Sequence, residues 1–183
     1  MKVRQRIRVT GIDTPWGGLS WEYTALEEPN DLSKSEFTIV SAHTGLALTI
    51  FDASTFGRRI RMDSVHKAQH WRFIRDEKYI DQYRIVTVDG KMALSRGSHT
   101  TDDSKPAYAR AEKTDPNALW QKWRFRKSDK KKDMWIIESV FDGRVLDDGR
   151  GFQEEGKNYL GVCPHHGHGC QQFSIQCYGA FNP

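Results

Sequence analysis

The sequence predicts an all-β fold of three repeated units, each of four short strands, closed around a pseudo-threefold axis. Three observations carry this. A Gln followed two residues later by an aromatic recurs as Gln69-His70-Trp71, Gln121-Lys122-Trp123 and Gln171-Gln172-Phe173, at intervals of 52 and 50 residues. Upstream of each dyad an aromatic opens a strand-patterned segment: Phe37-Thr38-Ile39-Val40, Tyr83-Arg84-Ile85-Val86 and Trp135-Ile136-Ile137-Glu138. A Leu follows that aromatic by eleven residues every time, at Leu48, Leu94 and Leu146. One such match carries little, whereas three in the same register define a repeat. No stretch holds a helical period beyond two turns; apolar and polar residues alternate over short runs broken by Gly, Asp or Asn.

In chain order, residues 1–36 form an N-terminal extension. Ile7-Arg8-Val9-Thr10 and Leu19-Ser20-Trp21-Glu22-Tyr23 alternate around the turn signal Thr14-Pro15-Trp16-Gly17-Gly18, which predicts a β-hairpin. The repeats follow at about 37–82, 83–134 and 135–178. Their first turns carry glycine, in His43-Thr44-Gly45, Val88-Asp89-Gly90 and Asp142-Gly143-Arg144. A unit of four short strands cannot bury its own apolar face, so three must close into a barrel, with the aromatic of each dyad in the core. The segment from Gly97 to Pro106 has no periodicity and reads as an exposed loop.

With 183 residues the chain suits one principal domain with a real core. No apolar run approaches the roughly 18 residues of a membrane span, and the opening Met1-Lys2-Val3-Arg4-Gln5-Arg6 lacks the apolar block of a secretory segment. The net charge of +4 raises the question of nucleic acid. The densest basic stretch, Lys127 to Asp133, is interrupted by two Asp residues and has no interleaved aromatic to stack on bases, so nucleic acid is not the expected partner. Three Cys confined to the last 21 residues do not make a disulfide framework and fit a reducing, cytoplasmic compartment.

The dyads and their spacing resemble the ricin B-type β-trefoil lectins, whose repeats carry a Q-x-W signature. The resemblance covers about residues 37–178, which makes 37–183 a β-trefoil lectin-like domain behind the extension. The third repeat is most similar to cytosolic lectins of mushrooms, with Val145-Leu146-Asp147 and Pro164-His165-His166-Gly167-His168-Gly169-Cys170-Gln171-Gln172-Phe173 in the place of that group's Leu-Asp pair and His-Gly-Gly-Asp-Asn-Gln-x-Trp tail. The implied function is binding of glycans or glycoconjugates. A sugar offers hydroxyl pairs and one apolar face, so its site needs an ionised carboxylate, an amide and a stacking platform.

In the family's pattern the carboxylate directly follows the Leu of the second strand. Asp147 holds that position, while Thr49 and Ser95 are its uncharged equivalents, so the site is expected in the third repeat. Cys170 stands where the family carries Asn, and the platform position falls near Cys163. His165 and His166 can replace those contacts, Gly167 lies on the same loop and Tyr159 on the approach to it, and Gln171 supports the pocket from behind. In the rival reading, Asp147 and Asp148 only make a turn and Gln171 only ties down backbone.

The run from Cys163 to Cys170 holds two thiols and three imidazoles within eight residues, the ligand types zinc prefers, although the spacing matches no familiar finger or ribbon. A disulfide between the two Cys would close the same loop. No metal or other cofactor is assigned. Catalysis is not expected: no nucleophile elbow, oxyanion site or phosphate-binding Gly loop is present, and Asp147 and Asp148 are adjacent, so on a strand they face opposite sides. The rival to a lectin is a β-trefoil scaffold that binds protein, as a protease inhibitor or cytoskeletal cross-linker, through a loop such as 97–106. A single weak glycan site would gain from a homo-oligomer.

Overall fold

The computed structural model describes residues 35–53, 57–65, 69–97, 107–149, 153–154 and 157–177. The expected N-terminal hairpin and the loop beyond Gly97 lie outside the described residues. The strands are β1 (Phe37–Ser41), β2 (Ala47–Ala53), β3 (Gly57–Asp63), β4 (Trp71–Arg75), β5 (Tyr83–Thr87), β6 (Met92–Ser95), β7 (Ala107–Tyr108), β8 (Arg110–Lys113), β9 (Lys122–Lys127), β10 (Trp135–Ser139), β11 (Val145–Asp147), β12 (Gln153–Glu154), β13 (Lys157–Asn158), β14 (Gly161–Cys163) and β15 (Phe173–Cys177). Among the described residues the helical pieces are single 3-10 turns, including Leu119–Gln121 and Gly169–Gln171, and no helix is long and apolar enough to cross a membrane.

The pairing closes a six-stranded antiparallel barrel. Around the ring, β1 pairs β4, β4 pairs β5, β5 pairs β9, β9 pairs β10, β10 pairs β15, and β15 returns to β1 over five residue pairs. Closure leaves no barrel strand with an open edge. The hairpins β2–β3, β6–β8 and β11–β14 cap one end. This is the β-trefoil: a barrel strand, a hairpin and a second barrel strand, repeated three times. Repeats two and three add the short strands β7, β12 and β13 to the expected four.

The threefold relation is written in the core. Ile39, Ile85 and Ile137 lie two residues after the lead aromatics, Leu48, Leu94 and Leu146 lie eleven after, and all six are fully buried with Trp71, Trp123 and Phe173. Each such aliphatic side chain contributes about 1.5 to 3 kcal/mol by leaving water. A buried indole also needs a partner for its N–H. Trp71 donates to the Leu48 carbonyl at 3.3 Å and Trp123 to the Leu94 carbonyl at 2.9 Å; Phe173, without a donor, makes no such demand. At the axis the three repeats join through a ring of backbone bonds, from Ile60 N to Ala109 O (3.1 Å), Ala109 N to Leu160 O (2.9 Å) and Leu160 N to Ile60 O (3.0 Å).

Candidate functional site

Asp147 ends β11 opposite Gly161 of β14, and Cys163 ends β14 two residues further along. The chain then runs through Pro164–His168 into the 3-10 turn Gly169–Gln171, and Cys170 O accepts the Asp148 N–H at 2.8 Å, which ties the turn back to β11. Within this loop Gly167 adopts φ +72°, left-handed backbone that suits glycine, and its carbonyl accepts Lys130 Nζ at 2.7 Å.

Gln171 is fully buried and organises the pocket. Its Oε1 accepts the N–H groups of His166 (2.9 Å) and Gly167 (3.2 Å). Its Nε2 donates to Pro164 O (3.0 Å), Asp147 Oδ2 (2.9 Å) and Cys163 Sγ (3.3 Å). The carboxylate of Asp147, a residue only 2% exposed, is accordingly crowded. Its Oδ2 also accepts the Cys163 thiol and His166 Nε2, each at 2.9 Å, and its Oδ1 accepts the Gly149 N–H at 2.6 Å. His166 Nδ1 accepts the His168 N–H at 3.3 Å, which leaves the ring proton on Nε2, facing Asp147.

The charge state follows from these contacts. Burial by itself would push the Asp147 carboxyl up, but hydrogen bonds from Cys163, Gln171, Cys170 and the Gly149 N–H together outweigh it and hold the group below the ordinary carboxylate value. Burial, reinforced by the neighbouring Asp147 charge, pushes the Cys163 thiol up to about 12 and the Cys170 thiol up to about 11. His165 is lowered by burial and by the positive charge of Arg126. Asp148 points the other way, accepting Thr44 Oγ1 of the first repeat at 2.5 Å, and burial raises it above the ordinary value against hydrogen bonds from Ser41 and Thr44. The two adjacent carboxylates thus serve different surroundings.

Of the residues singled out from the sequence, Asp147, His166, Gly167 and Gln171 are brought together, and His165 lies exposed on the same loop. Tyr159 is not brought to them. It is buried between repeats, edge-on to Tyr108 and Phe51 and beneath the Arg59 guanidinium, with a backbone bridge to Arg61, because β13 leads it toward β3 rather than toward the 163–171 loop. Cys163, noted in the sequence for its thiol, is a direct partner of Asp147, and Lys130, part of the densest basic stretch, braces the loop. Nothing in local spacing marks Lys130. Cys163, Cys170 and Cys177 are free thiols. In the other repeats Ser95 Oγ accepts the Gly97 N–H at 3.2 Å, as Asp147 does that of Gly149, and neither Ser95 nor Thr49 supplies a charge.

No family model matches the chain, and no curated protein matches it. Solved structures do. ThreeFoil, a designed threefold-symmetric protein, aligns with a TM-score of 0.63 at 17% identity, over 77% of this chain and 97% of its own. The BEL β-trefoil aligns with a TM-score of 0.63 at 12% identity, over 82% of this chain and 98% of its own. The lectin of Polyporus squamosus, solved with a human-type influenza-binding epitope, gives 0.61 at 15% identity over 79% of this chain and 49% of its own, so this chain spans about half of that lectin. At these identities the likeness is one of fold, and it places the chain among the β-trefoils.

Proposed function

We propose that the chain is a non-catalytic, glycan-binding lectin of the ricin B-like, Q-x-W kind, with residues 1–36 as an extension and 37–183 as the binding domain. Its site is the third repeat, where His165 and His166 form the accessible rim over Asp147 and Gln171. The supporting observation is that only this repeat sets a charged acceptor directly after the Leu of its second strand, with the dyad Gln bonded directly to it. His166 can exchange hydrogen bonds with sugar hydroxyls while its ring, with His168 edge-on at 4.8 Å, offers a stacking face. A single such site reaches about the millimolar scale, near 4 kcal/mol, so effective binding calls for a homo-oligomer or a multivalent glycoconjugate. Three free thiols suit a cytoplasmic protein.

The test is a glycan array on the wild type, His166→Ala and Asp147→Asn, each with a thermal melt. His166 is exposed, so its truncation should leave the melt within about 1 kcal/mol of wild type. Expected are hits in the wild type that fall at least tenfold in His166→Ala, about 1.4 kcal/mol. No hits with any protein would sink the lectin reading and favour the protein-binding scaffold. That rival has one observation behind it: the chain's own donors already occupy Asp147 Oδ2.

A further inference from the structure

We infer that Asp147, Cys163 and His166 form a binding site for a divalent ion of the zinc class. Asp147 Oδ2, Cys163 Sγ and His166 Nε2 all lie within 4.8 Å of one another, and two of the three separations are 2.9 Å. Metal–ligand bonds of about 2.0 to 2.3 Å in tetrahedral geometry set ligand atoms roughly 3.3 to 3.7 Å apart, so opening the two short contacts to Asp147 Oδ2 by about half an ångström admits the ion. One carboxylate oxygen, one sulfur and one imidazole nitrogen select zinc over magnesium or calcium, which take oxygen ligands.

The donors come from three places that the fold brings together: the end of β11, the end of β14 and the loop beyond it. The sequence pointed to ligands within Cys163–Cys170, whose spacing fits no known motif; Cys163 and His166 come from that run, and the Asp147 carboxylate from a separate strand completes the set. A single buried side chain positions all three. Gln171 Nε2 donates to both Asp147 Oδ2 and Cys163 Sγ, and its Oε1 fixes the His166 backbone, the role that outer-shell partners play around metal sites. The fourth position falls to water.

Binding is balanced by simple proton movements. The Cys163 thiol releases its proton to solvent, and the His166 ring proton moves from Nε2 to Nδ1, giving up the long bond from His168 N. The carboxylate and the thiolate then neutralise the ion. The ion would occupy the acceptor oxygen that the glycan reading uses, yet the inference does not rest on that reading, because metal binding is measured on the protein without sugar.

The experiment uses the full chain, reduced with a phosphine and stripped with chelator. Zinc chloride is titrated by calorimetry, and cobalt(II) serves as the spectroscopic probe. Expected are about one ion per chain and a thiolate-to-cobalt charge-transfer band. Cys163→Ser should abolish the band, Cys163→Ser and His166→Ala should each weaken zinc at least about tenfold, and His168→Ala should leave it within about twofold. Near-UV circular dichroism without metal establishes that each variant is folded, and the exposed His166 and His168 keep the comparison available if Cys163→Ser does not fold. Cobalt bound without a charge-transfer band, zinc affinity indifferent to His166→Ala, or an equal loss in His168→Ala would overturn the site.

Discussion

Gln171 shows how much one residue can carry. Its amide satisfies two backbone N–H groups, one carbonyl and two side chains of the loop. Removing it strands buried partners that cost about 1 to 3 kcal/mol each, so Gln171→Ala is expected to lose about 3 kcal/mol in urea unfolding. The thiols divide in the same way. Cys163 and Cys170 are pushed up to about 12 and about 11 by burial and by the Asp147 charge, whereas Cys177 is exposed. At pH 8 a disulfide reagent should therefore modify Cys177 fast and the other two slowly, and rapid modification of all three would contradict the pocket described. The carboxylates act on stability with opposite signs. The lowered value of Asp147 stabilises the fold fully above the ordinary carboxylate pKa of about 3.9 and is lost as pH falls through the lowered value. Asp148, raised by burial, opposes folding once ionised, and that penalty fades as pH falls through its folded pKa. Asp148→Asn should thus gain stability relative to wild type between pH 3 and pH 7, read as a difference in urea midpoints. A flat difference would show that the residue is not buried as described.

At the scale of elements, the first turns explain why the repeat was legible. Ser41, Thr87 and Ser139, each four residues after a lead aromatic, are buried, and their carbonyls accept the N–H of Gly45, Gly90 and Gly143 at 2.8 to 3.0 Å. Those glycines hold φ of +69° to +71°, which accounts for a glycine at each turn of the sequence pattern. Left-handed backbone alone costs a non-glycine residue about 1 to 2 kcal/mol. A Cβ on Gly45 would meet nothing within 4 Å, so Gly45→Ala should cost about that much. Gly97 has φ +77° and a Cβ there would lie 2.1 Å from the Tyr108 carbonyl, so Gly97→Ala must also displace backbone and should cost at least about 3 kcal/mol. Thermal melts of the pair check the ordering, and equal losses would refute the close approach. The dyads, turns and strand Leu residues were readable because each obeys a local rule that recurs. Tyr159 and Lys130 were not, because their surroundings come from strands and loops distant in sequence, with Arg59 set over one ring and the Gly167 carbonyl taken by the other's ammonium. In the site, Asp147 and Gln171 stood out by position, whereas the crowding of the carboxylate depends on how β11 meets β14, which no spacing encodes.

On the scale of the whole molecule, the three repeats are one unit because each is latched to the next. Arg96, thirteen residues after its lead aromatic, pairs with Asp142, seven after the next one, with Nε to Oδ2 at 2.6 Å and with both side chains largely buried. Asp148 and Thr44 repeat the same offsets from the third repeat to the first. In the first repeat the matching position is the apolar Ile50, so this polar latch joins two of the three junctions. The ring of backbone bonds through Ile60, Ala109 and Leu160 joins all three, and the barrel closes only when β15 meets β1, so no repeat can melt without opening its neighbours. Breaking a buried ion pair costs about 3 to 5 kcal/mol when the remaining charge is left alone; Arg144 Nε also lies 3.5 Å from Asp142 Oδ2, so Arg96→Ala should cost less than that, about 2 kcal/mol. Thr44→Val removes one hydrogen bond to a carboxylate and should cost about 1.5 kcal/mol. The two latches sit at different junctions, so the double variant should lose the sum to within about 0.5 kcal/mol. Far-ultraviolet circular dichroism and tryptophan fluorescence should report one coincident transition in all three variants, because Trp71 and Trp123 are buried in different repeats of the same core. A second transition in Thr44→Val, or fluorescence that moves without the backbone signal, would mean that the repeats unfold separately and that the latches are local contacts.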